Sequence, residues 1–236
     1  MAVKKLNEPF GVILLNEYAV DMTLNWLCNT NNMSDVHKNT LFVTLDYKAR
    51  EELLKFYPEL VVFTWNAKCL QSHFLPNDAT YMSFFLFRTN LIRALIRKKK
   101  NFWMLQADTI WRRNLFEKPV SSSTINVALD QTGHEFSRKY TMNGANFLVF
   151  GNRSNTKELF EDVYWYQSRF YVTDPDVMKV VCSNSRYKCG WMRHRFISGW
   201  EWIYSQQVRP PMLIQMDGEV NGNKISTMKR LFIKKV

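Results

Sequence analysis

The sequence has few cysteines, no long apolar run and no repeats, and each absence excludes a class of protein. Its four cysteines form no CxxC pair, which argues against a structural zinc site. Its four histidines show no HxxxH or HExxH spacing, which argues against a zinc hydrolase. No segment approaches the roughly 20 apolar residues of a membrane span, and the apolar run near the N-terminus is too short for a signal peptide. Without an internal repeat, we treat residues 1–236 as one domain.

What the chain does have is apolar and basic residues. Hydrophobic residues make up 46% and aromatic residues 15%, enough for a full core. The net charge of +11 implies attraction to polyanions. The densest basic run, Arg97 to Lys100, follows an apolar periodic segment, so we interpret it as a solvated helix C-terminus rather than a nucleic-acid patch. Because no RNP-type or zinc-finger signature accompanies it, we expect no nucleic-acid partner. The net charge keeps nucleic-acid binding open as an alternative function.

Two interpretations remain open for Cys182 and Cys189. They are close enough in sequence to bridge a short loop in an oxidising compartment. Free buried thiols are the alternative.

Short apolar runs alternate with helix-period segments, which predicts an α/β fold with an open, mostly parallel sheet flanked by helices on both faces. The predicted strands are Gly11 to Leu15, Leu41 to Leu45, Val61 to Trp65, Phe102 to Gln106, Ile125 to Leu129 and Phe147 to Phe150. The predicted helices run up to Asn29 and over Lys48 to Phe56, Thr80 to Arg97 and Lys157 to Tyr166. Such sheets bind ligands outside the carboxyl ends of their strands, where Asn16 and Asp108 would lie.

The segment FWMLQADTIWRRNLF has a carboxylate directly after a buried strand. With the helix before it and the earlier LFVTLDYKAREELL, it resembles the nucleotide-diphospho-sugar transferase family, whose members carry Asp-x-Asp at this point of a GT-A fold. The resemblance extends from about Leu41 to the C-terminus. It implies a GT-A-like glycosyltransferase that moves a sugar from a nucleoside diphosphate donor, a UDP-sugar first of all, to a hydroxyl of a glycan or protein acceptor. It also implies retention of anomeric configuration.

The resemblance further implies that Asp108 binds Mn²⁺ or Mg²⁺, which neutralises the departing diphosphate. Gln106 replaces the first acid of the motif, and its amide can hydrogen-bond a ribose hydroxyl. In LIQMDGEVNGNKISTMK, Gln215 stands near the His that completes the family's metal site, and Lys224 matches the Lys that grips the diphosphate. The alternative for Asp108 is a cap of the turn before Thr109.

The segment VTDPDVMKVVC is similar to the Asp-Gln-Asp segment beside the donor sugar in related retaining transferases. Asp174 and Asp176 match the acids, and Pro175 replaces the Gln. The resemblance assigns both acids to catalysis, with Asp174 stabilising the positive charge that develops at the anomeric carbon. The alternative is that Asp174 is the N-cap of a short helix with Pro175 at its first position.

The segment TMNGANFLVF is similar to the family's Asn-x-Gly strand, which lines the sugar pocket. This implies that Asn143 binds a sugar hydroxyl and that Gly144 permits close approach; alone, Asn-Gly is a turn signal. Arg88 corresponds to a basic residue that reaches the donor in related enzymes and is otherwise a surface arginine. We add Asn16 to these donor-binding candidates, and His194 is a candidate near an acceptor groove.

Three positions depart from the family pattern, namely Gln106, Pro175 and Gln215. These departures motivate a second hypothesis, a catalytically inactive descendant that keeps the fold as a binding module. The family works in the Golgi lumen, so the resemblance gives a secretory location, while we recognise no signal or anchor in this chain.

Overall fold

A computed structural model of the chain describes residues 2–73, 75, 77–117, 124–133, 141–216 and 224–233. The strands are β1 (Phe10–Leu15), β2 (Thr40–Thr44), β3 (Val61–Thr64), β4 (Asn101–Leu105), β5 (Thr109–Trp111), β6 (Val127–Thr132), β7 (Thr141–Phe150), β8 (Cys189–Trp191), β9 (Ile197–Ser198) and β10 (Leu213–Gln215). The α-helices are α1 (Val20–Thr30), α2 (Tyr47–Phe56), α3 (Ala79–Ile96), α4 (Thr156–Gln167), α5 (Asp174–Cys182), α6 (Trp200–Ile203) and α7 (Lys224–Ile233).

The main sheet has seven strands in the order β3-β2-β1-β4-β7-β6-β8. The first four are parallel to one another, β7 runs antiparallel to both β4 and β6, and β8 is parallel to β6. A smaller sheet, β5-β10-β9, continues from the carboxyl end of β4. The α/β prediction is therefore confirmed, with one antiparallel strand inside an otherwise mostly parallel sheet.

Helices cover both faces of this sheet because its central strands are apolar on both sides. Val12 of β1 and Met104 of β4 belong to a buried cluster with residues of α3, α4 and α5. The next residues along each strand, Ile13 and Leu105, belong to a second cluster with residues of α1 and α2. Successive side chains of a strand point to opposite faces, so one continuous apolar run serves two cores.

The structure also decides three open points of local structure. The Asn-Gly pair lies inside β7, which begins at Thr141 and is longer than the predicted Phe147 to Phe150 strand. Cys182 and Cys189 are bridged, which joins the end of α5 to the start of β8. Arg97 is the C-cap of α3, which confirms that the basic run follows a helix C-terminus.

None of the helices in the described ranges combines the length and apolar character that crossing a membrane requires.

Candidate functional site

A cavity of about 340 Å³ lies at the carboxyl end of β4. Its walls come from separate parts of the chain: α3, the segment after β4, β7, the start of α5, the end of β10 and the start of α7. The lining residues are Tyr81, Phe85, Gln106, Asp108, Met142, Asn143, Gly144, Ala145, Thr173, Pro175, Asp176, Gln215, Met216 and Lys224. The fold therefore brings the predicted site residues to one cavity, except Asn16, Arg88 and Asp174.

Asp108 lies in the short connection between β4 and β5, and hydrogen bonds hold this connection on both sides. The Gln106 backbone N–H donates to Asn146 Oδ1 at 3.1 Å. This bond continues the pairing of β4 with β7 beyond the end of β4, with a side-chain oxygen in place of a main-chain carbonyl. The Met216 N–H donates to the Asp108 carbonyl at 2.9 Å. The connection is thus fixed before any ligand arrives.

The Asp108 carboxylate binds two donors from the C-terminal part of the chain. Lys224 Nζ lies 2.6 Å from Oδ2, and Gln215 Nε2 donates to Oδ1 at 3.0 Å. Lys224 opens α7, and Met228 and Leu231 pack this helix into a cluster with residues of the smaller sheet. The turn-cap alternative for Asp108 is not what the structure shows, because its carboxylate faces Lys224 and Gln215.

Asn146, a residue that the sequence did not indicate, fixes the direction in which Gln215 points its amide. A backbone N–H can only donate, so the bond from Gln106 N requires the oxygen of the Asn146 amide. The Asn146 amino group then donates to Gln215 Oε1 at 2.7 Å. Gln215 must therefore turn its own amino group toward Asp108. Both amides are buried, which leaves them little freedom to flip.

Arg88 and Asp174 bind each other beneath the cavity rather than lining it. The guanidinium donates to both carboxylate oxygens at 2.7 Å, and both residues are buried. Burial raises the pKa of Asp174, an effect that the positive charge of Arg88 opposes. The N-cap alternative for Asp174 is corrected: Thr173 is the N-cap, its Oγ1 accepts from the Asp176 N–H at 3.3 Å, and Asp174 is the first helical residue.

Gly144 lets β7 and α5 approach each other closely. Its φ of +79° is a backbone conformation that other residues rarely adopt, and a Cβ atom here would lie 2.4 Å from the Pro175 ring. Its carbonyl accepts a hydrogen bond from Arg88 Nη2 at 3.1 Å. The close approach that the structure shows at Gly144 is thus between two parts of the protein, and Gly144 also lines the cavity.

Asp130 is a second residue that the sequence analysis missed. It lies on β6 where the register with β7 shifts, and its carboxylate accepts from the N–H groups of Gly144 and Asn146, each at 2.7 Å. Complete burial raises its pKa to about 7, against the lowering effect of those two hydrogen bonds and of Arg88. The available signal was an acid directly after the apolar run VAL, Val127 to Leu129.

Asn16 and His194 lie at other cavities. Asn16 follows β1, as predicted, but its amino group donates to the carbonyls of Leu70 and Ser72 at 3.0 and 3.2 Å. It lines a cavity of about 230 Å³ together with Tyr18 and other residues. His194 lines a third cavity, of about 480 Å³, with Arg193, Arg195 and Arg209 among its walls.

Among the described residues, those around Asp108 do not fit a divalent cation. Mg²⁺ and Mn²⁺ need several oxygen or nitrogen lone pairs that converge on one point. Here Gln215 presents an amino group, and both oxygens of Asp108 already accept from Gln215 and Lys224. Within the part of the chain that the structure describes, no group of three His, Cys, Asp or Glu side chains could hold a metal ion.

Solved glycosyltransferases share this fold at low sequence identity. Mouse xyloside xylosyltransferase 1 aligns with a TM-score of 0.61 and 11% identity over 90% of this chain and 98% of that one. The galactosyltransferase LgtC, solved in complex with donor and acceptor sugar analogs, aligns with a TM-score of 0.58 and 12% identity over 96% of both chains. The bifunctional glycosyltransferase WbbM aligns with a TM-score of 0.59 and 13% identity over 89% of this chain but only 46% of its own.

These structural similarities establish the GT-A fold, and the family assignment rests on the sequence. No curated protein matches the chain significantly. The model of the nucleotide-diphospho-sugar transferase family matches residues 35–228, most of the chain. The resemblance seen in the sequence is thereby confirmed, and the chain belongs to the nucleotide-diphospho-sugar transferase family.

Proposed function

We propose that this glycosyltransferase moves a sugar from a UDP-sugar to a hydroxyl group of a glycan or protein, with retention of anomeric configuration. The observation that carries the proposal is the convergence of Asp108, Asn143, Asp176 and Lys224 on one cavity at the carboxyl end of β4. These residues come from four separate segments, and a volume of about 340 Å³ is within the usual range for small-molecule sites.

Lys224 stabilises the departing diphosphate in this proposal. Its ammonium carries a positive charge at the wall of the cavity, and its N–H groups are donors to which a phosphate oxygen can bind. Hydrogen bonds between charged partners are about twice as strong as neutral ones. Negative charge accumulates on the nucleotide as the sugar leaves, so this interaction strengthens in the transition state.

Asp176 is the carboxylate that we assign to the sugar side of the cavity. It is exposed, it lines the cavity, and the Thr173 hydroxyl holds its Oδ2 at 2.5 Å. A nearby carboxylate stabilises the positive charge that develops at the anomeric carbon. Asp174, the other acid of the DPD segment, is bound to Arg88, so we assign this pair to holding α5 against β7. Asn143 of β7, which also lines the cavity, would bind a sugar hydroxyl.

The cavity beside Asn16 suits the nucleobase. It lies at the carboxyl end of β1, the neighbour of β4 in the sheet, and its lining includes Tyr18, His73 and Phe84. Aromatic side chains of this kind stack against a planar base. Asn16 would shape this cavity, because its amide is bonded to the main chain.

A donor screen tests the proposal. The purified chain is incubated with a panel of UDP-, GDP- and CDP-sugars and simple glycoside acceptors, once with Mn²⁺ and once with EDTA, and released nucleotide is measured. Proton NMR of the product reports its anomeric configuration. Asp176→Asn should lower transfer about 100-fold or more, given typical contributions of charged groups to a transition state. The matched control is Asp21→Asn, an exposed site on α1.

Each outcome has a distinct meaning. Release of one nucleotide with product formation supports the proposal, and inversion at the anomeric carbon overturns its stereochemical part. Nucleotide binding without turnover across the panel would favour the non-catalytic binding module.

A further inference from the structure

We infer that this chain binds its nucleoside diphosphate without a divalent cation, through the ammonium of Lys224. The inference deepens the proposed function and rests on it. It follows from the direction of each polar group around Asp108 and from the charge that Lys224 brings.

The Gln215 amide presents a donor to Asp108, where a cation bound to Asp108 would need an acceptor. The Gln106 backbone fixes Asn146, Asn146 fixes Gln215, and Gln215 therefore points its amino group at Asp108. Reversing Gln215 would bring its oxygen against the Asp108 carboxylate and its amino group against that of Asn146. Two pairings would be lost in a buried position, where unpaired polar groups are costly.

Asp108 in turn acts as the counter-ion that holds Lys224 at the cavity. The side chain of Asp108 is 13% exposed and that of Lys224 is 30% exposed, so Lys224 is the more accessible of the two. A nucleotide diphosphate would meet Lys224 first. Asp108 then competes with the phosphate for the ammonium, whereas as a metal ligand it would assist phosphate binding.

Binding through Lys224 and binding through a metal predict opposite effects of one substitution. Asp108→Asn removes the competing negative charge and leaves a side chain of the same shape. Binding through Lys224 predicts that a nucleoside diphosphate binds this variant at least as tightly as the original chain, whereas binding through a metal on Asp108 predicts that affinity is lost.

The experiment measures binding of UDP, GDP, CDP and ADP by titration calorimetry. Each nucleotide is titrated once in 5 mM EDTA and once in Mn²⁺ at about 1 mM, a concentration that saturates an ordinary metal site. We expect one nucleotide to bind equally in both conditions. Lys224→Met should weaken it about tenfold or more, the usual loss for a hydrogen bond between charged groups. Lys224→Arg should retain most of the affinity. Lys229→Met, an exposed site on the same helix, is the matched control.

A designed gain of metal binding provides a second measurement. The double variant Gln106→Asp with Gln215→His supplies the ligands that the family pattern has, and electron paramagnetic resonance counts bound Mn²⁺ directly. We expect stoichiometric Mn²⁺ on this variant and none on the original chain. Thermal melting of every variant shows that it is folded.

The outcomes separate this inference from the proposed function. Nucleotide binding in EDTA that depends on Lys224 supports both. Binding that requires Mn²⁺, with stoichiometric Mn²⁺ on the original chain, overturns the inference and leaves the proposed function standing. Failure of all four nucleotides to bind under either condition overturns the proposed function and the inference with it.

Discussion

Arg88 and Asp174 form a bidentate ion pair with side chains that are 3% and 0% exposed. The same guanidinium donates to the Gly144 carbonyl, so one arginine of α3 holds both the first residue of α5 and the middle of β7. Both of these elements form walls of the cavity. The pair therefore acts on the site through the position of its walls.

The first prediction is that breaking this pair unfolds the protein more readily. Asp174→Ala leaves a buried guanidinium without its counter-charge, and such changes cost about 3–5 kcal/mol. Urea denaturation measures the loss. Replacing both partners, by Arg88→Met and Asp174→Leu together, should recover much of the stability, because neither partner then leaves the other as an unpaired buried charge.

Asp176→Asn is the control for this prediction. Asp176 is exposed in the first turn of the same helix, so the free energy of unfolding of this variant should change by about 1 kcal/mol or less while sugar transfer falls. A stable Asp174→Ala variant with abolished transfer would show that Asp174 acts in chemistry and contradict the role we assign to the pair.

The second prediction compares two glycines that both have positive φ. Gly133→Ala meets no atom of the described residues within 4 Å, so it should cost only the backbone strain, about 1 kcal/mol. Gly144→Ala adds a clash with the Pro175 ring and should cost about 1–3 kcal/mol more. Thermal and urea denaturation give both values. Equal losses of stability in the two variants would mean that β7 and α5 can move apart at Pro175 at no cost in free energy.

The third prediction concerns the bridge between Cys182 and Cys189, which closes a loop with a sequence separation of 7. Replacing both by serine should lower the free energy of unfolding by about 2–3 kcal/mol, because the unfolded chain gains freedom. Cys28→Ser and Cys69→Ser, at exposed free thiols, are the controls. A reductant should reproduce the loss in the original chain and leave the double variant unchanged.

The sequence predicted the central strands well because they are buried on both faces. The short strands β5, β8, β9 and β10 were not predicted. A run such as FGVILL or FWML needs no partner to be recognised, and the carboxyl end of each run predicts where a ligand site lies. That is why Asp108 could be positioned before its contacts were known. The position of Asn16 followed from the same rule.

The contacts within the site could not be predicted because they depend on strand pairing and on residues far apart in sequence. Arg88 and Asp174 are 86 positions apart, and nothing near either residue indicates the other. Asp130 matters only because β6 lies beside β7 with a shift in register. Asn146 matters only because β7 pairs with β4, and β4 ends one residue before Gln106.

The last prediction is a pH dependence of stability that originates at Asp130. Burial raises the pKa of this carboxyl to about 7 in the folded chain, from an ordinary value of 3.8. The folded chain therefore holds this proton between those two values, while the unfolded chain has released it. The free energy of unfolding should fall as pH rises through this window and level off above it, with a slope of at most about 1.4 kcal/mol per pH unit from one group.

Comparison with Asp130→Asn isolates this contribution, because burial raises the pKa of Asp174 in the same direction and that carboxyl is present in both proteins. The variant has an amino group facing one of the N–H donors of Gly144 and Asn146, so it should be less stable than the original chain at pH 4. Its stability should then change less between pH 4 and pH 7, so the difference between the two proteins narrows. A difference in free energy of unfolding between the two proteins that stays constant across that range would mean that Asp130 keeps an ordinary pKa. In that case the N–H donors of Gly144 and Asn146 and the charge of Arg88 offset the whole cost of burying the Asp130 charge.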